Sequence, residues 1–296
     1  MANKQHTALN RVLDHIQSNL EGDLAVAQLA EICHLSEFHF QRVFKEYTGE
    51  PVHGYVLRLR LEQAAEMLRS DPERPITQVA GDVGFGTASA FAKAFKKFFD
   101  LSASQWRQAH QRSVSPDLSV KFDQHRPVWT LNYLDEQKQI RVERWEPFRV
   151  AYVRNFGNYM GDAQLFSQLY QQLFSYGGQQ GLIDAHTLGY NIYRQSPDIT
   201  DHSKLEVMCA ITLPEYVRPA LPLNELTLAG GLYGVCRFQL SESEFKSAWQ
   251  WLFDQWLARS GYALDQQRPT FERQVSDEQK QAGYKVDFCV PIKTPD

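Results

Sequence analysis

The chain has 296 residues, of which 43% are hydrophobic and 22% charged, and its formal net charge is −4. This composition is typical of a globular protein with room for two domains. No apolar run reaches the 18 residues that a membrane helix needs, and the first residues lack the order of a secretory signal, so we expect a cytoplasmic protein with no membrane partner. The four cysteines form no CxxC pair, and we predict no metal and no cofactor.

The first 112 residues contain 13 Lys plus Arg and 13 Asp plus Glu, so they carry no basic excess. Nucleic-acid-binding domains are often basic as a whole. Any surface that binds DNA must therefore be a local patch.

Between residues 5 and 110 the apolar positions recur at intervals of three and four, which predicts an all-α domain. The stretch QRSVSPDLSVKFDQHRP, which begins at residue 111, is polar, holds two prolines and shows no period, so we predict a linker over 111–125. From about residue 140 short alternating runs are mixed with two helical segments. This pattern predicts a second, α+β domain over 126–296.

One segment of the first domain occurs twice. SEFHFQRVFK, at 36–45, returns 51 residues later as TASAFAKAFK, with Phe91, Phe95 and Phe98 expected on the core side. Each copy follows a short amphipathic helix and a turn, and each begins with a hydroxyl residue suited to cap a helix. The arrangement predicts two helix-turn-helix units, whose second helices enter the major groove.

The outer face of the first copy carries side chains that suit base recognition. Arg can donate two hydrogen bonds to guanine, Gln can pair with adenine, and an exposed Phe can contact a thymine methyl group. The residues that we predict to bind DNA here are Ser36, Phe38, Gln41, Arg42 and Lys45.

The outer face of the second copy retains fewer polar groups. Its candidates for DNA binding are Thr87, Ser89, Lys93 and Lys96. Because lysine binds phosphates as a point charge, this helix is better suited to hold DNA than to read its sequence. VHGYVLRLRLEQAAEMLRS, between the copies, predicts a connecting helix long enough to place them about 34 Å apart, one DNA turn.

The second domain also repeats itself. FRVAYV at 148 corresponds to LYGVCRF at 232, and each is followed by a helix and two further strands. Tandem βαββ units of this kind predict one antiparallel sheet with both helices on a single face.

These motifs resemble known families. The run from AQLAEICHLSEFHFQRVFKEYTG to KKFFDLSASQWR resembles the double helix-turn-helix domain of AraC/XylS transcription regulators. That resemblance implies that base contacts map to Phe38, Gln41 and Arg42. VAYVRNFGNY, GGLYGVCRF and KVDFCVPIK resemble a GyrI-like effector-binding domain, which implies a cleft for amphipathic or cationic molecules with an acid at its base.

The acid implied by the resemblance aligns with Asp287. The alternation of KVDFCVPIK places Asp287 on the face away from the helix-covered core, and Glu272 in FERQ is a second candidate acid. Phe245, Trp249 and Trp256 follow helical spacing and should pack on the sheet, so we predict Tyr152, Tyr190 and Trp251 for a cleft wall. An acid among aromatic rings would favour a cation with an apolar body.

Three functions remain open from the sequence. The first is a regulator that is not an enzyme and has double-stranded DNA and a small-molecule effector as partners, with RNA polymerase as a further candidate. In the second, the GyrI-like domain is a hydrolase that uses a carboxylate and a tyrosine. In the third, that domain binds another protein.

Overall fold

The computed structural model describes residues 2–110, 140–275 and 283–294. The predicted linker at 111–125 and the predicted start of the second domain at 126 lie outside these ranges. The described residues confirm the fold class: a helical N-terminal domain is followed by an antiparallel sheet with helices. No helix among them is long and apolar enough to span a membrane.

The N-terminal domain contains seven helices within its described residues. They are α1 (Ala2–Ser18), α2 (Val26–Ile32), α3 (Glu37–Thr48), α4 (Val52–Ser70), α5 (Ile76–Asp82), α6 (Ala88–Phe99) and α7 (Ala103–His110).

These helices surround two separate cores. The first core joins α1, α2, α3 and the start of α4 around Phe40 and Phe44, and the second joins the rest of α4 to α5, α6 and α7 around Phe91 and Phe95. Helix α4 belongs to both and is about 28 Å long at 1.5 Å per residue. The two predicted helix-turn-helix units are therefore α2–α3 and α5–α6, joined by one rigid helix.

The predicted caps are present in both units. The Ser36 hydroxyl accepts a hydrogen bond from the backbone N–H of His39 at 3.4 Å, and the Thr87 hydroxyl accepts one from Ala90 at 3.2 Å. In the second unit the turn before α6 passes through Gly84, whose φ of 81° favours glycine. The hydroxyl residues at the start of the two repeated segments thus set where both helices begin.

One predicted core residue of α6 is exposed. Phe98 remains 42% accessible, whereas its neighbour Phe99 packs against Trp106 of α7 with ring centroids 4.4 Å apart. Phe99 lies four residues after Phe95, on the side of the helix that α7 covers. Helical spacing alone allowed either Phe98 or Phe99, three and four residues after Phe95, to face the core. The contact of Phe99 with α7 determines which of them does.

The C-terminal domain contains one antiparallel sheet of nine strands among the described residues, in the order β1-β6-β9-β8-β3-β4-β2-β5 with β7 beside β9. The strands are β1 (Ile140–Trp145), β2 (Phe148–Phe156), β3 (Gly189–Tyr193), β4 (Glu206–Thr212), β5 (Asn224–Leu228), β6 (Gly231–Leu240), β7 (Ala263–Leu264), β8 (Thr270–Gln274) and β9 (Tyr284–Lys293).

The predicted repeat is present as two βαββ units. The first is β2, α8 (Ala163–Gln179), β3 and β4, and the second is β6, α9 (Phe245–Trp251), β8 and β9. Helix α9 continues through irregular helical turns to Arg259. Both helices pack on one face of the sheet, and the other face has its own core, centred on Tyr233 and Phe271.

Gly234 of β6 allows the extension of α9 to approach the sheet. A Cβ atom at this position would lie 2.0 Å from the Trp256 ring. We expect Gly234→Ala to lower the free energy of unfolding by about 1–3 kcal/mol through overpacking, measured by urea denaturation. The control is Gly178→Ala in α8, where a Cβ meets nothing within 4 Å. A loss no larger than that of the control would contradict this account.

Candidate functional site

The outer faces of α3 and α6 form the first candidate site. All nine residues predicted to bind DNA are exposed on these helices or at their caps. Phe38 is the extreme case, since 83% of this large aromatic residue is accessible. Arg42 makes a 3.6 Å ion pair with Glu46, but both side chains are more than half exposed, so the pair leaves the guanidinium available.

The second candidate site is a cleft on the helix-covered face of the C-terminal sheet. At its base lies Glu272 of β8, which is only 2% exposed. Its carboxylate accepts hydrogen bonds from Asn191 Nδ2 at 3.0 Å, from the Tyr193 hydroxyl at 3.0 Å and from Trp249 Nε1 at 2.9 Å. Strands β3 and β8 and helix α9 thus hold one carboxylate in a fixed position.

No ion pair involves Glu272 in the part of the chain that the structure describes. Burial raises the pKa of its carboxyl, and the hydrogen bonds from Asn191, Trp249 and Tyr193 oppose that rise. A buried carboxylate that lacks a cationic partner is electrostatically suited to receive one from a ligand.

Aromatic rings form much of the wall around this carboxylate. Tyr159 stacks at a tilt on Tyr193 with centroids 5.3 Å apart, and Trp249 lies parallel to Phe253 at 5.7 Å. The cleft has a volume of about 2170 Å³ and extends from Glu272 to the facing residues of α1 and α4. It therefore offers an acid, aromatic faces and ample space.

Within the described residues, no group of three or more His, Cys, Asp or Glu could hold a metal ion.

Asp287 lies on the opposite face of the sheet, as the strand alternation indicated, and outside this cleft. It ion-pairs with Arg237 at 2.7 Å and with Arg273 at 2.5 Å. Burial alone would raise the pKa of this carboxyl, but the two arginines hold it below its usual range. Asp287 thus already has its cationic partners, and Glu272 is the acid at the base of the cleft.

The three predicted wall residues also lie elsewhere. Tyr152 and Tyr190 belong to the core of the opposite face, and Trp251 packs edge-on against Phe238. The side chains that surround Glu272 instead include Asn191 and Tyr193, which alternate with Tyr190 along β3. Because side chains alternate along β3, Asn191 and Tyr193 could have been predicted to face the cleft if Tyr190 had been known to face away from it.

A buried polar network joins the two domains where β2 and β4 meet α1. The side chain of Arg154 is 0% exposed and forms ion pairs with Asp14 of α1 and, at 3.0 Å, with Glu206 of β4. The Tyr152 hydroxyl donates to Asp14 at 2.6 Å, and Gln17 Nε2 donates to Glu206 at 2.8 Å. No sequence pattern indicated this network, because its members are far apart in the chain.

The fold and these sites define a protein that joins a double helix-turn-helix unit to an α+β domain with a cleft of ligand size. Comparison with known proteins supports this division into two domains. A helix-turn-helix domain model matches residues 29–109, and the model of a GyrI-like small molecule binding domain matches residues 138–293. Because the second match covers more than half of the chain, the protein belongs to the GyrI-like family, and it carries a helix-turn-helix domain of the AraC type.

Individual relatives match the N-terminal domain. The probable transcriptional regulator LumQ of Photobacterium leiognathi is 32% identical over 106 residues, which are 35% of this chain and 42% of LumQ. The multiple antibiotic resistance protein MarA of Escherichia coli is 28% identical over 113 residues, 38% of this chain and 88% of MarA. The C-terminal domain of AraT, a response regulator from Geobacillus stearothermophilus, is 30% identical with a TM-score of 0.36, over 38% of this chain and 94% of that domain. The chain thus spans less than half the length of LumQ.

Proposed function

We propose that the protein is a transcription regulator that binds DNA through α3 and α6 and senses a lipophilic cation in the cleft above Glu272. The observation that carries the sensing role is the carboxylate of Glu272, buried among aromatic rings with no cationic partner in the described structure. The two exposed helices support the DNA-binding role.

The chemistry of the cleft supports a cation rather than an anion or a neutral molecule. Aromatic faces attract cations through their quadrupoles, and a desolvated carboxylate adds a full charge. Carboxylate side chains also outnumber Lys and Arg along the cleft. An apolar body on the ligand would cover the surface of rings such as Phe166 and Phe253.

The geometry favours binding over hydrolysis. Tyr193 is the hydroxyl nearest to the acid, but burial raises the pKa of this phenol well above its usual value, and its proton is already donated to Glu272. A phenolate nucleophile is therefore disfavoured at neutral pH. The same pair serves well as a fixed, negatively charged receptor.

The DNA-binding role is tested with a duplex selected in vitro by the protein. We expect Arg42→Ala to weaken binding to that duplex by about 5–150-fold, the range of one bidentate base contact, and to relax specificity at one position. Fluorescence anisotropy at constant salt measures both. Arg11→Ala, an exposed arginine of α1, is the control for loss of charge. Equal effects of the two substitutions would contradict base reading by Arg42.

A further inference from the structure

We infer that the end of β2 and the loop after it, residues 154–159, couple the cleft to the recognition helix α3. This inference rests on the proposed function, since it concerns how occupancy of the cleft reaches the DNA-binding surface. The segment is short, and both of its ends make specific contacts.

One end of the segment lies in the cleft. Tyr159 lines the cleft and packs at a tilt on Tyr193, which donates a hydrogen bond to Glu272. A cation that approaches Glu272 meets these rings. Any shift of Tyr193 is therefore transmitted to Tyr159 by direct contact.

The other end contacts the DNA-binding domain. The ring of Phe156 packs edge-on against Tyr47 in the last turn of α3, with centroids 5.5 Å apart. The Tyr47 hydroxyl donates to Asn10 of α1 at 2.9 Å, so Phe156 is tied to two helices of the first core. Only two residues separate Phe156 from Tyr159 in the chain.

Arg154, the first residue of the same segment, fixes it to both domains. The Arg154 and Glu206 side chains are at most 1% exposed and Asp14 is 15% exposed, so both ion pairs are largely protected from salt screening. Strand β4 in turn pairs with β3, where Val207 lies opposite Tyr193. Tyr193 is thus linked to the domain interface by two routes, through Tyr159 and Phe156 and through Val207 and its neighbour Glu206.

Coupling between two sites is a free energy that acts equally in both directions. If the segment carries it, a cation must change DNA affinity and DNA must change cation affinity by the same factor, typically about 5–150-fold. Substitution within the segment must bring that factor towards one, with little change in cation affinity when DNA is absent.

The experiment uses the full chain, the selected duplex and tetraphenylphosphonium as the probe cation. Titration calorimetry gives cation affinity with and without DNA, and anisotropy gives DNA affinity with and without cation. We expect Phe156→Leu to reduce the coupling factor at least threefold and Asp14→Asn, which preserves side-chain shape, to do the same. Phe148→Leu is the matched control, because Phe148 is equally half-buried on the same strand but packs inside the C-terminal domain.

A factor that is unchanged in both variants, or that falls equally in the control, would overturn the inference. So would a parent protein that binds the cation and the DNA independently, although the proposed sensing role would survive that result. Failure of the cation to bind at all would contradict the proposed function itself and the inference with it.

Discussion

Glu272→Gln is expected to weaken tetraphenylphosphonium binding by about 10–100-fold. At an effective dielectric constant of 20, a cation about 5 Å from the carboxylate gains about 3 kcal/mol, part of which offsets the cost of desolvation. Glutamine keeps the shape and part of the hydrogen bonding but removes this attraction. Isothermal titration calorimetry at pH 7.5 measures the change.

Asp287→Asn is the control for this experiment, because it removes a second buried carboxylate, on the other face of the sheet. We expect the affinity of this variant to stay within about twofold of the parent, since Asp287 is already neutralised by Arg237 and Arg273. Thermal unfolding shows whether each variant is folded. If Asp287→Asn weakened cation binding more than Glu272→Gln, the cation would bind on the face of the sheet that carries Asp287, and the proposed site would be wrong.

The same site predicts how affinity depends on pH. Burial raises the pKa of Glu272 in the free protein, and a bound cation lowers it, so binding releases a proton when the pH lies between the two values. Cation affinity therefore rises with pH and levels off above the pKa of the free protein. Glu272→Gln is expected to flatten this dependence, and a dependence that persists in the variant would assign it to another group.

Arg154→Met is expected to lower the free energy of unfolding by about 3–5 kcal/mol. The substitution leaves the carboxylates of Asp14 and Glu206 at a buried interface without their common cation, and removal of one partner from a buried ion pair typically costs this much. Urea denaturation followed by circular dichroism gives the value. A loss below 1 kcal/mol would show that water replaces the guanidinium.

Two comparisons isolate the electrostatic cause. Arg154→Met with Glu206→Gln should recover part of the loss, because it removes one of the two uncompensated charges. Arg149→Met, on the same strand but paired with Glu225 near the surface, should cost less than Arg154→Met. If the double variant is no more stable than Arg154→Met alone, lost packing rather than charge explains the effect.

Much of the fold follows from local patterns that the sequence displays. The three-and-four spacing of apolar residues, the capping hydroxyls Ser36 and Thr87 and the repeated segments define both helix-turn-helix units. Alternation along KVDFCVPIK also places Asp287 on the face away from the helices. These features depend only on residues within a few turns of a helix or along one strand.

The identity of the cleft acid required the tertiary structure. The pairing of β8 with β9 sets Glu272 opposite Phe288 on the helix-covered face, and Arg273 opposite Asp287 on the other. A shift by one residue would exchange these roles, because successive side chains point to opposite faces. The register depends on packing across the whole sheet, which no single strand encodes.

The two helix-turn-helix units, the βαββ repeat and the polar outer faces of α3 and α6 could be predicted from the sequence, since each arises from local periodicity. The acid at the base of the cleft and the contacts between the domains could be identified only from the tertiary structure. Arg154 and Asp14 are 140 residues apart in the chain, yet they form one buried pair. Such contacts depend on how the two domains pack against each other, and they cannot be predicted from a pattern of neighbouring residues.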